Sequence, residues 1–268
     1  MPGLACVSRT PGLWRERQRC WLIGALCPLL CLMGGCQEAP AANWTQALVD
    51  DGVHNRLSAA EREDGWQLLF DGLSLSGWHS YGRDEVGAEW QVISDSIVLT
   101  APGGGDLVTD TEFENFELSL QWWIEPGGNS GVFVLADESR APIYAKAPEI
   151  QVLDNEGHSD GHFADRRSGS LYDLIAAPAA AQKPAQQWNR LRVRHQQGRL
   201  QAWQNGVETF DVTIDSGVWR ALLKSSKFVD WEGFGLNPAG LIGLQDHGDR
   251  VAFRNIKIRP LPAPDASR

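Results

Sequence analysis

From Phe116 to Trp123 the chain alternates Phe116, Leu118, Leu120 and Trp122 with Glu117, Ser119, Gln121 and Trp123. A period of two gathers the first four side chains on one face of a strand, which no helix can do. Such a strand is half-buried, so a sheet with a covered face must form around it. Other segments carry the same signal. Trp66 to Phe70 reads as a strand closed by Asp71-Gly72, and Trp90 to Thr100 as a strand pair turning at Asp95-Ser96. Gly131 to Ala136 is a continuous apolar run, as in a strand covered on both faces. Asn205-Gly206 is a two-residue hairpin signal, and Leu241 to Leu244 and Val251 to Ile258 are the last strands. Helix is sparse: Ser58 and Glu61 have capping-box spacing, and Trp219 to Ser226 can form a helical turn. Many short strands, with 28 glycines for turns, predict an all-β fold, a two-sheet jelly-roll sandwich with few short helices. The many tryptophans are expected to be mostly core.

The ends divide the chain. Arg9, Arg15, Arg17 and Arg19 precede an apolar run from Trp21 to Met33, too short for a comfortable bilayer span and broken by Pro28. It closes on Gly34-Gly35-Cys36, the pattern of a bacterial lipoprotein signal whose cysteine is lipidated. The expected organisation is a signal peptide over 1–35, lipidated Cys36 with a tether to 57, a domain over 58–261 and a flexible tail over 262–268. The expected location is the bacterial envelope, a periplasm-facing lipoprotein of the outer membrane that meets the membrane only through its lipid. All five cysteines lie at or before Cys36, so the exported domain relies on its core alone. Without residues 1–35 the chain has 20 basic and 33 acidic residues, a net charge of −13. That acidity excludes nucleic acid as a partner.

One stretch gathers chemistry. In Pro148-Glu149-Ile150-Gln151-Val152-Leu153-Asp154 the apolar residues alternate with Glu149 and Gln151. A loop follows that holds Glu156, His158, Asp160, His162, Asp165, Arg166 and Arg167. Carboxylates on a rigid strand beside imidazoles and guanidinium groups can build a sugar or metal site. Asp154 stands at an odd offset from Glu149, so only a β-bulge would bring it to the same face. The alternative is a surface strand running into a solvated loop.

Several blocks in order resemble the 3-keto-disaccharide hydrolase family. They are Gly65 to Gly72 with Gly77-Trp78, Gly105 to Thr109 with Phe113 to Leu118, Gly127 to Val132, Pro148 to Asn155 and Gly169 to Tyr172. Trp188-Asn189, Asn205-Gly206, Gly243 to Gly248 and Phe253 to Ile256 complete them. The resemblance implies a concanavalin A-like sandwich that cleaves glycosides already oxidised at C3, with a sugar 3-dehydrogenase as functional partner. A ketone at C3 acidifies the C2 proton, so a base can remove it, the C1 leaving group departs, and water adds back. On that reading Glu149, Asp154, His158 and His247 are the catalytic candidates. Asn129, Gln151, Arg167, Tyr172, Lys227 and Gln245 are expected to contact the sugar. A divalent metal (calcium, manganese or zinc) is expected on Glu149, Asp246 and His247. Asn129-Ser130-Gly131 can equally be a tight turn, and Arg254 is expected to be buried behind the site, orienting a carboxylate.

Two rivals stand beside this reading. The spacing of Glu149, Gln151 and Asp154 is similar to the bulged Glu-x-Asp-x-x-Glu strand of jelly-roll endoglucanases, with Gln and Asp in place of two acids. Retaining hydrolysis would need its two carboxyl groups ~5 Å apart. The other rival is a non-catalytic carbohydrate-binding module, which shares the sandwich but needs no base.

Overall fold

Phe116–Ile124 forms the long strand its alternation predicts, in a computed structural model that describes residues 44–50, 52–139 and 142–263. In chain order the strands are β1 Gln67–Leu68, β2 Trp78–Ser80, β3 Trp90–Ile93, β4 Ser96–Leu99, β5 Leu107–Thr109 and β6 Phe116–Ile124. They continue as β7 Asn129–Ala136, β8 Glu149–Leu153, β9 Asn189–Gln196, β10 Arg199–Gln204, β11 Val207–Thr213, β12 Leu241–Leu244 and β13 Val251–Pro260. Among the described residues three α-helices accompany them: α1 Trp44–Leu48, α2 Ala59–Glu63 and α3 Gly217–Lys224.

The strands make two antiparallel sheets, the jelly-roll sandwich expected. One has eight strands, in the order β11-β10-β9-β6-β13-β4-β3 with β1 on β13; the other has five, in the order β2-β5-β12-β7-β8. Their facing sides share one core, to which β6 gives Leu118, Leu120 and Trp122 and the smaller sheet gives Val132, Val134, Ile150, Val152 and Leu244. Burying that many large apolar side chains, each contributing ~1.5–3 kcal/mol, stabilises the domain without a disulfide.

Local chemistry sets the corners. Ser58 and Glu61 form the reciprocal capping box that opens α2. The β3–β4 hairpin turns at Ser94-Asp95, one residue before the expected pair. Both adopt positive φ (48° and 56°), the geometry a two-residue hairpin demands. Asn205-Gly206 turns β10 into β11 as predicted, with φ of 51° and 85°.

The expected tether departs from expectation where it is described. Residues 44–50 and 52–55 pack on the outer face of the eight-stranded sheet. Leu48 of α1 is buried with Val98, Trp123 and Ala252. Arg254, also buried, donates to the Leu48 carbonyl and to Asp50, and its guanidinium lies 3.8 Å over the Trp188 ring. Arg254 thus clasps the N-terminal segment on the face opposite the candidate site, instead of orienting a site carboxylate. A polar composition concealed this, because one leucine and one ion pair suffice to dock the segment. Replacing Arg254 with Ala takes the guanidinium away from the Leu48 carbonyl and Asp50 and is expected to cost about 2–3 kcal/mol. Limited proteolysis should then cut near residues 44–55 well before the sandwich unfolds. Residues 1–35, Cys36 and the end of the tail lie outside the described residues.

Candidate active site

The site is a patch of three neighbouring strands on the outer face of the five-stranded sheet. In β8, Ile150 and Val152 turn into the core, so Glu149 and Gln151 turn outward. β7 pairs with β8 in unbroken register, Gly131 opposite Gln151 and Phe133 opposite Glu149. Asn129 therefore shares their face. Gln245, just past β12, bonds through its N–H to the Gly131 carbonyl at 2.9 Å and joins them. Gly131 is what makes room: a Cβ there would sit 2.8 Å from Cγ and 2.9 Å from Cδ of Glu149.

Loops close the patch into a cavity of about 320 Å³ lined by Asn129, Tyr144, Glu149, Gln151, His158, Asp160, Tyr172, Lys227, Gln245 and His247. Glu149, Gln151, Asn129 and Gln245 at its floor are all buried. Asn129 Oδ1, Gln151 Oε1 and Gln245 Oε1 have no hydrogen-bond partner within the protein. Buried amide oxygens are rarely left unpaired, so three in one cavity await donors from a ligand, as sugar hydroxyls provide.

The electrostatics fit a base held ready. Burial pushes the Glu149 carboxyl up to about 8, against the pull of the Lys227 ammonium and with help from the Asp106 charge. Burial lowers Lys227 in turn, while the Glu149 charge opposes that. The Lys227 ammonium lies 4.2 Å from the centre of the Tyr172 ring, and its backbone N–H donates to Asp173 at 2.8 Å. Asp173 also accepts from Arg166 at 2.9 Å, which fixes the corner carrying Tyr172. Burial, with Asp160 beside it, drives the Tyr172 phenol above its ordinary value, so it stays protonated and donates to Asp160 at 3.1 Å. His158 accepts at Nδ1 from the Asp160 N–H at 3.1 Å, which leaves Nε2 to carry the proton of the neutral ring. The His247 ring stands 6.3 Å from it, edge to face.

Eight of the predicted site residues therefore meet: Glu149, His158, His247, Asn129, Gln151, Tyr172, Lys227 and Gln245. Asn129-Ser130-Gly131 is strand, not turn; the turn is earlier, where Gly128 bonds back to Glu125 at 3.0 Å.

Asp154, Arg167 and Asp246 are corrected. No bulge interrupts β8, so Asp154 leaves the Glu149 face and uses its carboxylate on the N–H groups of Gly127 (2.8 Å) and Glu156 (3.2 Å). It holds the loop rather than the substrate, which removes the endoglucanase-like carboxylate pair. Arg167 donates through Nε to the Gly161 carbonyl at 2.8 Å and, with Asp154, lines a different cavity. Asp246 binds the N–H groups of Gly103 (3.0 Å), Gly105 (2.9 Å) and Gly248 (3.0 Å), pinning two loops together. With both its oxygens committed, the expected set of Glu149, Asp246 and His247 does not fit a metal. Among the described residues no group of three His, Cys, Asp or Glu side chains is arranged to hold one.

Tyr144 and Asp160 are the lining residues that sequence reasoning did not assign. Asp160 stood in the ionisable loop without a feature to single it out. Tyr144 lies on a short 3₁₀ turn, Ile143–Ala145, between strands, where no periodicity points to it.

Comparison with known proteins places the fold and the family. The chain is 36% identical over 267 residues to a 3-keto-disaccharide hydrolase of Bacteroides thetaiotaomicron, covering 85% of this chain and 91% of that protein. The fold is shared with a glycosyl-hydrolase-like protein of Parabacteroides distasonis at a TM-score of 0.74 and 27% identity, over 78% of this chain and 100% of the other. A second structure from that organism gives 0.57 and 26%, over 73% and 99%. Residues 65–259 match the sequence profile of the 3-keto-alpha-glucoside-1,2-lyase-like domain, and the chain belongs to that family.

Proposed function

We propose that this enzyme cleaves 3-keto-glycosides by elimination and rehydration, with Glu149 as the base. The observation that carries the reading is a single outward-facing buried carboxylate, raised to about 8, on the floor of a cavity with three unpaired amide oxygens. The amide oxygens accept hydroxyls and hold one sugar ring over Glu149. Glu149 takes the C2 proton, and the electron pair moves toward the C3 oxygen, where the Lys227 ammonium stabilises the enediolate. The C1–O bond breaks and His158, protonated at Nε2, gives its proton to the departing oxygen. Water then adds at C1, giving one proton back to His158, while Glu149 returns its proton to C2, so the net change is hydrolysis. No step is assigned to a metal, since Asp246 of the expected set is committed to backbone N–H groups.

The leader and Cys36 support an exported, lipid-anchored enzyme, supplied with keto-sugar by a sugar 3-dehydrogenase. Both belong to the proposal, as does the outer membrane.

The reading fixes the pH dependence. Glu149 works only as the carboxylate, so kcat/KM should rise about tenfold per unit below pH 8 and level off above it. A profile already flat at pH 5 would remove Glu149 from the role of base. The activity test compares a 3-keto-glucoside with the matching unoxidised glucoside, each with and without a chelator, following aglycone release. Release from the keto-sugar alone supports the proposal, and loss of it in the chelated arm would assign a metal to the reaction. Release from the unoxidised sugar would contradict the proposal, and saturable binding without release from either would make the chain a carbohydrate-binding module.

A further inference from the structure

Among the described residues lining the cavity, Tyr144 is the exposed large aromatic side chain, at 44% exposure. It lies on the Ile143–Ala145 turn, which buried Ile143 anchors in a small cluster with Val108, Phe133 and Leu241. Gly243 lets that anchor approach: a Cβ there would stand 3.0 Å from Ile143 Cδ1. The ring is also supported from behind. Its centre is 5.9 Å from Trp231 at 31°, Trp231 is 5.0 Å from Phe228, and Phe228 stacks on Phe234 at 4.0 Å. Phe234 lies 6.2 Å from fully buried Trp219. A backbone bond from Gly235 N–H to the Lys146 carbonyl at 2.7 Å ties this aromatic column to the turn. An exposed ring held this firmly loses little freedom on binding, and its face suits the C–H face of a pyranose or a flat aglycone.

The cavity adds a second constraint. At about 320 Å³ it is at the small end of ligand pockets, and its polar floor is spent on one ring. The leaving half of a disaccharide must therefore emerge at the mouth. We propose that Tyr144, backed by Trp231, is the stacking platform of a leaving-group subsite that selects glycosides with a ring on the far side of the scissile bond. This rests on the keto-glycoside reading of the cavity.

The test compares a 3-keto-disaccharide with methyl 3-keto-glucoside in the wild type, Tyr144→Ala and Tyr144→Phe. The ratio of kcat/KM between the two substrates should fall about tenfold in Tyr144→Ala and return in Tyr144→Phe. The same comparison, read by calorimetry in a Glu149→Gln background, needs no turnover: disaccharide affinity should weaken about tenfold more than methyl glycoside affinity. An unchanged ratio in both readouts, or equal losses for the two ligands, overturns the subsite. If the wild type cleaves neither keto-sugar, the reaction reading fails, and the calorimetric ratio still decides the platform.

Discussion

Glu149→Gln is expected to lower kcat by about a thousandfold while KM changes little, because an amide fills the same space but cannot take a proton. The same change should make the protein more stable at neutral and alkaline pH. Folding raises the Glu149 carboxyl from the ordinary glutamate value of 4.5 to about 8, so the native state binds a proton that the unfolded chain has released between those values. Stability therefore falls as pH rises from about 4.5 to 8, and the full penalty stands above pH 8. Removing the charge should recover up to ~5 kcal/mol, roughly 10–20 °C in Tm, above pH 8 and almost nothing near pH 4. Thermal unfolding of both proteins across pH 4 to 9 checks it. Equal melting curves throughout would mean that Glu149 is not buried as the structure has it. A stability gain paired with lost turnover is the signature of a residue kept for chemistry.

Gly131→Ala is expected to be nearly as damaging to activity, although the residue bears no functional group. The added methyl occupies the place of the Glu149 side chain, with Cγ only 2.8 Å away, so the carboxylate must swing off the β7 surface. Misplacing a base by about 1 Å costs roughly a hundredfold in rate. The backbone should tolerate the change, because Gly131 is absent from the residues with positive φ and sits inside a regular strand. Overpacking is expected to cost about 1–3 kcal/mol. The discriminating measurement is the pH profile of the residual activity. A displaced, better-solvated Glu149 should titrate lower, so the rise toward pH 8 should move to more acidic values. A profile of unchanged shape with unchanged rate would show that Gly131 does not shape the site.

These two residues show what a sequence of this kind displays. Alternation carried β6 and β8 and a continuous apolar run carried β7, and with them the facing core, because a buried face leaves a period-two trace and a strand covered on both faces leaves an unbroken one. The same logic put Glu149 and Gln151 on one surface. It also placed Asp154 on the other face; what failed was the expectation of a bulge, which β8 does not contain. Asp246 was misassigned for a related reason: a carboxylate that ties glycine-rich loops together through backbone N–H groups has the same letter as a ligand. Residues 44–55 looked like a tether because a few docking contacts leave composition unchanged. Tyr144 was silent because its role depends on a column of rings drawn from residues 219 to 234, far away in sequence. Lys227 came from the family resemblance, and the structure explains it through its effect on Glu149 and its seat on Tyr172.

The most direct test of the mechanism is made in deuterium oxide. The enzyme is given a 3-keto-glycoside, and the released keto-sugar is read by NMR against an enzyme-free control that corrects for spontaneous exchange. Removal of the C2 proton by Glu149 and its return from a solvent-exchanged carboxyl predicts deuterium at C2 of the product. Product released at the full rate with its C2 proton intact would contradict elimination and leave direct hydrolysis at C1.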